Sequence, residues 1–300
     1  MIVIFGTVAL DTTRTPFKTV ENALGGSATY SAFSSHFFHK TGIISAVGKD
    51  FPKNYKKMLG KRIDLTGLKT LDGKTFHYDS TFDYDLSKRI TNRTELNIIN
   101  KYSPEVPSEY FKADFVYAGN YDPEKGLDIL GQFENPKLTA FDTIEFWIKN
   151  KRAAVMKMIE NVDCVILNDD EARMIVKEPS LVKCGKKLLE LGPEYAVIKK
   201  GEHGSLFFNQ DTIFPLPGYP LEEIVDPTGA GDSFAGGLLG HLARKGKINT
   251  PILKEAVFYG NIMGSFAVED FGINRLIKLS LAEIEKRFEN YKTILNLESR

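Results

Sequence analysis

Short apolar runs alternate with helical patterns along most of this 300-residue chain. The predicted strands are residues 2–5, 43–47, 115–118, 138–141, 165–167, 196–199 and 205–208. The predicted helices are residues 27–39, 124–133, 146–160, 182–191, 252–268 and 281–295. Continuous apolar strands are typical of a parallel sheet buried on both faces, and the alternation implies right-handed βαβ units. We therefore expect an α/β fold of three layers, α/β/α, around a mainly parallel central sheet.

One region departs from this alternation. Residues 75–85 alternate strictly between two faces, which predicts a half-exposed strand of an antiparallel sheet. One face carries Phe76, Tyr78, Ser80, Phe82 and Tyr84. Residues 11–24 are too long and too polar for a turn between a strand and a helix. We expect residues 11–24 and 73–100, approximately, to form a small sheet that acts as a lid on a single domain of residues 1–300. The alternative is a β-hairpin with no moving role.

The charge balance excludes several classes of partner as a default. Lys+Arg and Asp+Glu both number 39, so no basic surface for nucleic acid or membrane is expected. No apolar run is long enough to span a bilayer, and the first residues lack the features of a signal peptide. The two cysteines, Cys164 and Cys184, form no metal spacing. A cytoplasmic location is therefore expected.

Residues 226–237 form the most informative motif, because their glycines precede an apolar segment that we predict to be a helix. The first amides of a helix have no internal partner, and the helix dipole favours an anion there. The amides of Gly229, Ala230 and Gly231 are therefore candidates for binding a phosphate. Asp232 places a carboxylate beside them, as expected of a base that takes a proton from an attacking hydroxyl. The alternative is an ordinary helix start with an acidic residue in its first turn.

This motif resembles the signature of the ribokinase family, also called the PfkB carbohydrate kinases. The resemblance implies a ribokinase-like fold, a migrating phosphate held by residues 229–231, and Asp232 as the catalytic base. It extends to residues 42–50, which complete the family's N-terminal signature, and so covers nearly the whole chain. It further implies ATP as the donor, Mg²⁺ as the metal, and a lid that pairs across a homodimer in some members.

Several further motifs supply candidates for binding the nucleotide and metal. Asn168 and Glu171 resemble the family's Asn-x-x-Glu motif, which organises Mg²⁺ and the phosphates, although a helix cap with first-turn acids would look the same. The other candidates are Lys199, where a threonine is usual, with Gly201 and Gly204 for the phosphates, and Asn261 near the adenine. Asp226 and Thr228 match positions that hold a monovalent cation, often K⁺, in several relatives; structural hydrogen bonding by the same side chains is the alternative.

The acceptor site is expected near the N-terminus. Asp11 matches an aspartate that binds substrate hydroxyls, and the pair Gly25 and Gly26 opens a helix beside the sugar in the family. Tyr30 stands where sugar kinases often carry Asn, so the substrate does not follow from the resemblance. Asn120 and Arg89 are further residues that we expect to face the acceptor.

The sequence predicts an ATP-dependent, Mg²⁺-requiring kinase that phosphorylates an alcohol group of a sugar or a ribosyl compound. The alternative is a nucleoside kinase of the adenosine, cytidine or inosine/guanosine type, in which Tyr30, Phe76 and Tyr78 stack on the base. A non-catalytic nucleotide or sugar sensor on the same fold is a third alternative. Asp232 disfavours a sensor, because a protein that only binds gains nothing from a carboxylate facing phosphate.

Overall fold

The chain forms two β-sheets and a set of surrounding helices, in a computed structural model that describes residues 1–86 and 88–296. The strands in chain order are β1 (Ile2–Phe5), β2 (Ala9–Arg14), β3 (Thr19–Gly25), β4 (Thr41–Gly48), β5 (Asp64–Leu71), β6 (Phe76–Phe82), β7 (Arg89–Glu95), β8 (Phe115–Ala118), β9 (Leu138–Phe141), β10 (Cys164–Asn168), β11 (Tyr195–Lys199), β12 (Ser205–Phe208) and β13 (Ile213–Leu216). The helices are α1 (Ser27–Ser35), α2 (Lys53–Leu59), α3 (Ile98–Lys101), α4 (Pro123–Leu130), α5 (Glu145–Asn150), α6 (Arg152–Glu160), α7 (Asp169–Val176), α8 (Leu181–Glu190), α9 (Ala230–Lys245), α10 (Thr250–Ala267), α11 (Asn274–Lys278) and α12 (Leu281–Leu295).

The large sheet has the strand order β13-β12-β11-β10-β9-β8-β1-β4-β5. The strands from β11 to β5 in this order run parallel, whereas β12 and β13 are antiparallel additions at one edge. Every strand predicted from an apolar run is present. The edge strands β5 and β13 were not predicted, because few of their residues are buried and neither carries a continuous apolar run.

Helices cover both faces of the large sheet. Successive residues of β1 point to opposite sides, with Ile2 and Ile4 in one core cluster and Val3 and Phe5 in the other. The first cluster also contains residues of α1, α9, α10 and α12, and the second contains residues of α4 to α8. The predicted three-layer α/β/α fold with a mainly parallel sheet is thus confirmed.

The helix predicted at residues 146–160 is two helices rather than one. α5 and α6 are separated at Lys151, whose backbone leaves the helical region with φ −135° and ψ 41°. The Lys151 ammonium group pairs with the carboxylates of Asp122 and Glu124. These partners lie close to α5 only in the folded chain, so the helical pattern alone did not indicate the break.

The small sheet has the strand order β3-β2-β6-β7. β6 pairs antiparallel with β7, as expected, and parallel with β2. Phe76, Ser80 and Phe82 are buried, whereas Tyr84 lies beyond the end of β6 and is 83% exposed. Of the predicted lid segment 73–100, residue 87 lies outside the described residues.

The small sheet begins at the carboxyl end of the large sheet, because β2 starts shortly after β1 ends. The carboxyl ends of parallel strands are where ligands bind in open α/β sheets. The two sheets therefore meet at the edge where the predicted site residues lie. In the part of the chain that the structure describes, no helix has both the length and the apolar character needed to cross a membrane.

Candidate active site

The anion-binding turn (residues 229–231) lies at the start of α9. Gly229 precedes the helix in the left-handed region, with φ 77° and ψ 2°. A Cβ atom at this position would lie 2.4 Å from ring carbons of Tyr30, so that only glycine fits. The loop before the turn is held by the Val225 and Asp226 N–H groups, which both donate to the Val268 carbonyl. The turn is therefore fixed from two sides, with its helix amides free of a capping side chain.

Asp232 lies in the first turn of α9, half-buried, and its carboxylate makes no hydrogen bond with any described residue. Burial, followed by the negative charge of Asp142, raises its pKa to about 7, against the opposing charges of Lys199 and Arg89. A carboxylate with a pKa near neutrality and no partner is suited to accept a proton from a substrate hydroxyl.

Lys199 ends β11 and points at the anion-binding turn. Its Nζ would lie 2.9 Å from a Cβ atom at Gly231. The same Nζ donates to Asp142 Oδ2 at 2.5 Å, in a salt bridge whose two side chains are only 13% and 8% exposed. Asp142 follows β9 and was not predicted from the sequence. The signal that could have found it is its position directly after a predicted strand.

Asn168 and Glu171 form a reciprocal capping box at the start of α7. The Glu171 N–H donates to Asn168 Oδ1, and the Asn168 N–H donates to Glu171 Oε2, both at 2.8 Å. Burial, and then the charge of Asp142, raises the pKa of the Glu171 carboxyl to about 8. The structure thus shows the cap that the sequence left open as an alternative, and it leaves Glu171 Oε1 without a hydrogen bond from the described residues.

These residues fit a magnesium ion that is held jointly with bound phosphate. The described residues contain no group of three or more His, Cys, Asp and Glu side chains that could bind a metal. Mg²⁺ keeps most of its waters and takes one or two carboxylates together with substrate phosphates, so it does not need such a cluster. The free oxygen of Glu171, near the Lys199–Asp142 pair, has the donor type and charge for this task.

Asp11 on β2 is the most enclosed carboxylate of the predicted acceptor site, at 6% exposure. A Cβ atom at Gly25 would lie 2.0 Å from its Oδ2, so this glycine allows the backbone to pack on the carboxylate. The Gly26 N–H hydrogen-bonds Asp11, while Asp11 Oδ1 has no partner. Burial and the charges of Asp226 and Asp232 raise the pKa of Asp11 to about 8.

The ring of Tyr30 lies under Gly229 and connects the acceptor side to the anion-binding turn. Burial, and then the charges of Asp226, Asp11 and Asp232, raise the pKa of its phenol well above the ordinary value. Tyr30 is 2% exposed and belongs to the core.

Phe76, which was expected to stack on a base, is buried in the core beneath the small sheet, so this expectation is wrong. Alternation distinguished the two faces of β6 but did not say which one packs on the large sheet. Tyr78 is half-buried, and the Arg89 guanidinium lies over its ring, 5.3 Å from the centroid.

Arg89 begins β7 and brings a positive charge from the small sheet to the acidic side chains. Burial is the largest cause of the raised pKa values of Asp11, Glu171, Asp226 and Asp232, and the Arg89 charge opposes the rise in each case. A cavity of about 530 Å³ lies beside it. Its lining comes from the small sheet and from the loops near α7 and α9, and consists of Phe82, Lys88, Arg89, Ile90, Asn168, Asp170 and Pro227.

The remaining predicted residues have structural contacts of their own. Asn120 follows β8, and its Oδ1 accepts a hydrogen bond from Trp147 Nε1 at 3.0 Å. The Asp226 carboxylate, 1% exposed, accepts the Thr228 N–H at 2.9 Å. Asn261 on α10 donates to Tyr291 Oη at 3.2 Å and lies near the Pro217 carbonyl.

Gly201 and Gly204 follow β11 but differ in their surroundings. Nothing lies within 4 Å of a Cβ atom at Gly201, whereas one at Gly204 would lie 2.1 Å from the Leu216 carbonyl oxygen. Only Gly201 is therefore open to a ligand, while Gly204 packs against the loop that follows β13. The structure brings Asp11, Tyr30, Arg89, Asn168, Glu171, Lys199, Asp226 and Asp232 to one edge of the large sheet, and their roles remain predictions.

Comparison with known proteins gives a consistent result. A model of the pfkB family of carbohydrate kinases matches residues 2–278. A cytidine kinase from Thermococcus kodakarensis is 31% identical over 250 residues, which cover 81% of this chain and 88% of that protein.

Solved structures share the fold over almost their whole length. A nucleoside kinase from Methanocaldococcus jannaschii matches with a TM-score of 0.77 at 22% identity, covering 96% of this chain and 98% of the other. A ribokinase-family protein from E. coli, solved with ATP and Mg²⁺, matches with a TM-score of 0.78 at 20% identity, covering 96% and 99%.

Proposed function

The chain belongs to the pfkB family of carbohydrate kinases, and from this premise we propose that it transfers a phosphoryl group from ATP to an alcohol group on the ribose of a nucleoside. The family identified from the sequence, and the expectation of a kinase, are confirmed. The sequence alone favoured a sugar or other ribosyl acceptor. The cytidine kinase, similar over most of its length, supports the nucleoside alternative instead.

One observation carries the proposed chemistry: the Asp232 carboxylate, with no hydrogen-bond partner among the described residues and a pKa raised to about 7, lies beside the anion-binding turn, where no side chain caps the helix and the Ala230 N–H donates only to the Pro227 carbonyl. Asp232 accepts the proton of the acceptor hydroxyl as the oxygen attacks the γ-phosphorus. The new oxygen–phosphorus bond forms while the bond to the ADP oxygen breaks, and the electron pair leaves with ADP. The amides of residues 229–231 and the Lys199 ammonium group stabilise the negative charge on the transferring group.

Glu171, Asn168 and the phosphates are the groups that we propose to hold Mg²⁺, which supplies further charge neutralisation. The E. coli protein solved with ATP and Mg²⁺ supports this choice of donor and metal. Asp11, on β2 of the small sheet, is proposed to accept hydrogen bonds from the ribose hydroxyls, because its Oδ1 has no partner among the described residues.

The acceptor is tested by incubating the protein with ATP, Mg²⁺ and one compound at a time: cytidine, adenosine, inosine, guanosine, ribose or fructose. ADP release and the mass of the product are measured. Phosphorylated nucleosides with no phosphorylated free sugar are the expected result. Phosphorylation of free sugars alone would overturn the nucleoside assignment. If no compound causes ADP release, neither the nucleoside nor the sugar assignment is supported.

The base is tested with Asp232→Asn, which keeps the shape of the side chain and removes the proton acceptor. General-base assistance is typically worth about a hundred- to ten-thousand-fold, so kcat is expected to fall at least about a hundredfold with little change in nucleotide affinity. Asp211→Asn, in the exposed turn between β12 and β13, is the control and is expected to keep full activity. Unchanged turnover in Asp232→Asn would refute the assignment.

A homodimer formed through the small sheet is also proposed. β7 is the last strand of that sheet, six of its seven residues are exposed, and Ile90 presents an apolar side chain at 60% exposure. We expect sedimentation velocity to show a dimer that Ile90→Lys weakens. A monomer at all concentrations would contradict this proposal without affecting the proposed reaction.

A further inference from the structure

We infer that Asp142 is a positioning residue for phosphoryl transfer: it holds the Lys199 ammonium group against the anion-binding turn, where Lys199 contacts the transferred phosphoryl group. The inference rests on the proposed function, because it assigns a task within that reaction. It concerns a carboxylate that no motif in the sequence indicated.

The Asp142 carboxylate is fixed by donors on both oxygens. Its Oδ1 accepts the Thr143 N–H at 2.8 Å, and its Oδ2 accepts Lys199 Nζ at 2.5 Å. The Tyr117 hydroxyl, from the neighbouring strand β8, approaches the same Oδ2 at 3.5 Å. A buried carboxylate with this many donors has little freedom, so it can anchor a long and flexible lysine side chain.

The position of the Lys199 ammonium group is also determined by the anion-binding turn. Because Gly231 has no side chain, the Lys199 ammonium group occupies the space where one would lie, with Nζ 2.9 Å from the ideal Cβ position. The anchored ammonium group therefore lies directly beside the turn whose amides face the phosphate.

The charges at this edge explain why Lys199 is paired with Asp142 and why the site needs the positive charge of Lys199. Asp11, Asp142, Glu171, Asp226 and Asp232 bring five carboxyl groups, and the cations that oppose their raised pKa values are Lys199 and Arg89. Phosphate adds further negative charge. Removing one member of a buried pair leaves the other uncompensated, so loss of Lys199 alone would leave the Asp142 charge repelling the phosphate.

Asp142 also affects the proposed base. The charges that face Asp232 come from Asp142 after β9, Lys199 on β11 and Arg89 on β7. The charge of Asp232 in turn raises the pKa values of Asp11, Tyr30 and Tyr117. Among the charges, Asp142 contributes most to the raised pKa of Asp232. Neutralising Asp142 should therefore make Asp232 a weaker base that is ionised at lower pH.

The test compares Asp142→Asn, Lys199→Met and the double variant, with kcat and the KM for MgATP measured over pH 5–9 with the best nucleoside. Lys199→Met is expected to lower kcat by about a hundredfold or more, as for loss of a donor to transition-state charge. Asp142→Asn is expected to lower kcat/KM by about tenfold, and to move the acid limb of the kcat profile to lower pH because Asp232 loses the charge that raises its pKa. The double variant should be no worse than Lys199→Met, because no uncompensated charge remains. Asp72→Asn, in an exposed lysine–aspartate pair, is the control and should change neither value.

The inference is overturned if Asp142→Asn keeps the wild-type kcat, KM and pH profile, or if the losses in the two single variants add up in the double variant. Gly231→Ala provides a route that leaves Asp142 in place, because the added methyl group displaces Lys199. Adding Lys199→Met to Gly231→Ala should not lower kcat further. If the losses of these two variants are additive, the inference is also overturned. Failure of the proposed function is distinguishable, since the wild-type protein itself would then transfer no phosphate.

Discussion

Alanine substitutions at the two glycines that flank α9 can be compared to measure how much the contact between the anion-binding turn and Tyr30 contributes to the free energy of unfolding. Gly229 precedes the helix with φ 77°, and Gly246 follows it with φ 65°. An L-residue in this left-handed region loses about 1 kcal/mol, so alanine at either position carries that penalty. At Gly246 nothing lies within 4 Å of the added Cβ atom, and we expect Gly246→Ala to be destabilised by only about 1 kcal/mol.

Gly229→Ala carries an additional penalty, because the added Cβ atom would lie 2.4 Å from the Tyr30 ring. Tyr30 is 2% exposed and surrounded by core residues, so either the ring or the turn must move. Overpacking of this kind typically destabilises by about 1–3 kcal/mol, which gives a total of about 2–4 kcal/mol for Gly229→Ala. Displacing the turn should also lower kcat, whereas Gly246→Ala should keep its activity.

The assay is urea denaturation of the wild type and both variants, followed by circular dichroism, with kcat measured on the same preparations. Equal slopes with denaturant allow the shifts in midpoint to be compared as free energies of unfolding. Equal destabilisation of the two variants, or full activity in Gly229→Ala, would refute the claim that the Tyr30 ring fixes the anion-binding turn.

Three further perturbations probe the acidic side chains of the site. The pKa of Asp11 is raised from 3.8 to about 8, so its contribution to stability is complete below pH 3.8 and is lost as the pH rises towards 8. In thermal melts of the ligand-free protein, the fall in Tm between pH 5 and pH 8 should therefore be smaller in Asp11→Asn than in the wild type. An equal fall in both proteins would contradict this. Glu171→Gln keeps an acceptor for the Asn168 N–H but removes the charge, so the Mg²⁺ concentration for half-maximal activity should rise about tenfold or more. The control Glu289→Gln, in an exposed pair with Lys292 on α12, should leave it unaltered, and equal effects would argue against Glu171 as a metal-binding group. Activity of the wild type should be higher in KCl than in LiCl, and Asp226→Asn should abolish this difference; equal wild-type rates in both salts would count against a cation site at Asp226.

The central strands were predictable because their burial on both faces leaves a direct trace in the sequence. β1, β8, β9 and β12 begin and end at the expected residues. β5 and β13 left no such trace because few of their side chains are buried. At the break between α5 and α6, Lys151 pairs with Asp122 and Glu124, which lie 29 and 27 residues earlier in the chain, a contact that local periodicity cannot register.

The site residues likewise divide into those that the local sequence indicates and those that depend on contacts between distant parts of the chain. Asn168 was found directly after one predicted strand and Lys199 at the end of the next, and such strand ends meet at one edge. Asp142 follows a predicted strand as well, but its partner Lys199 lies 57 residues further along the chain. The pairing, and with it the reason to notice Asp142, exists only in the folded protein.

The strand order has a consequence for how the chain is assembled during synthesis. β4 joins β1, β5 joins β4, β8 joins β1 on the other side, and each strand from β9 to β13 joins the one made just before it. Every strand of the large sheet after β1 thus finds its neighbour already outside the ribosome, and the sheet can grow outward in both directions as translation proceeds. β2 differs, because its parallel partner β6 is translated only after β4 and β5, so the hairpin of β2 and β3 emerges well before the strand that completes its sheet.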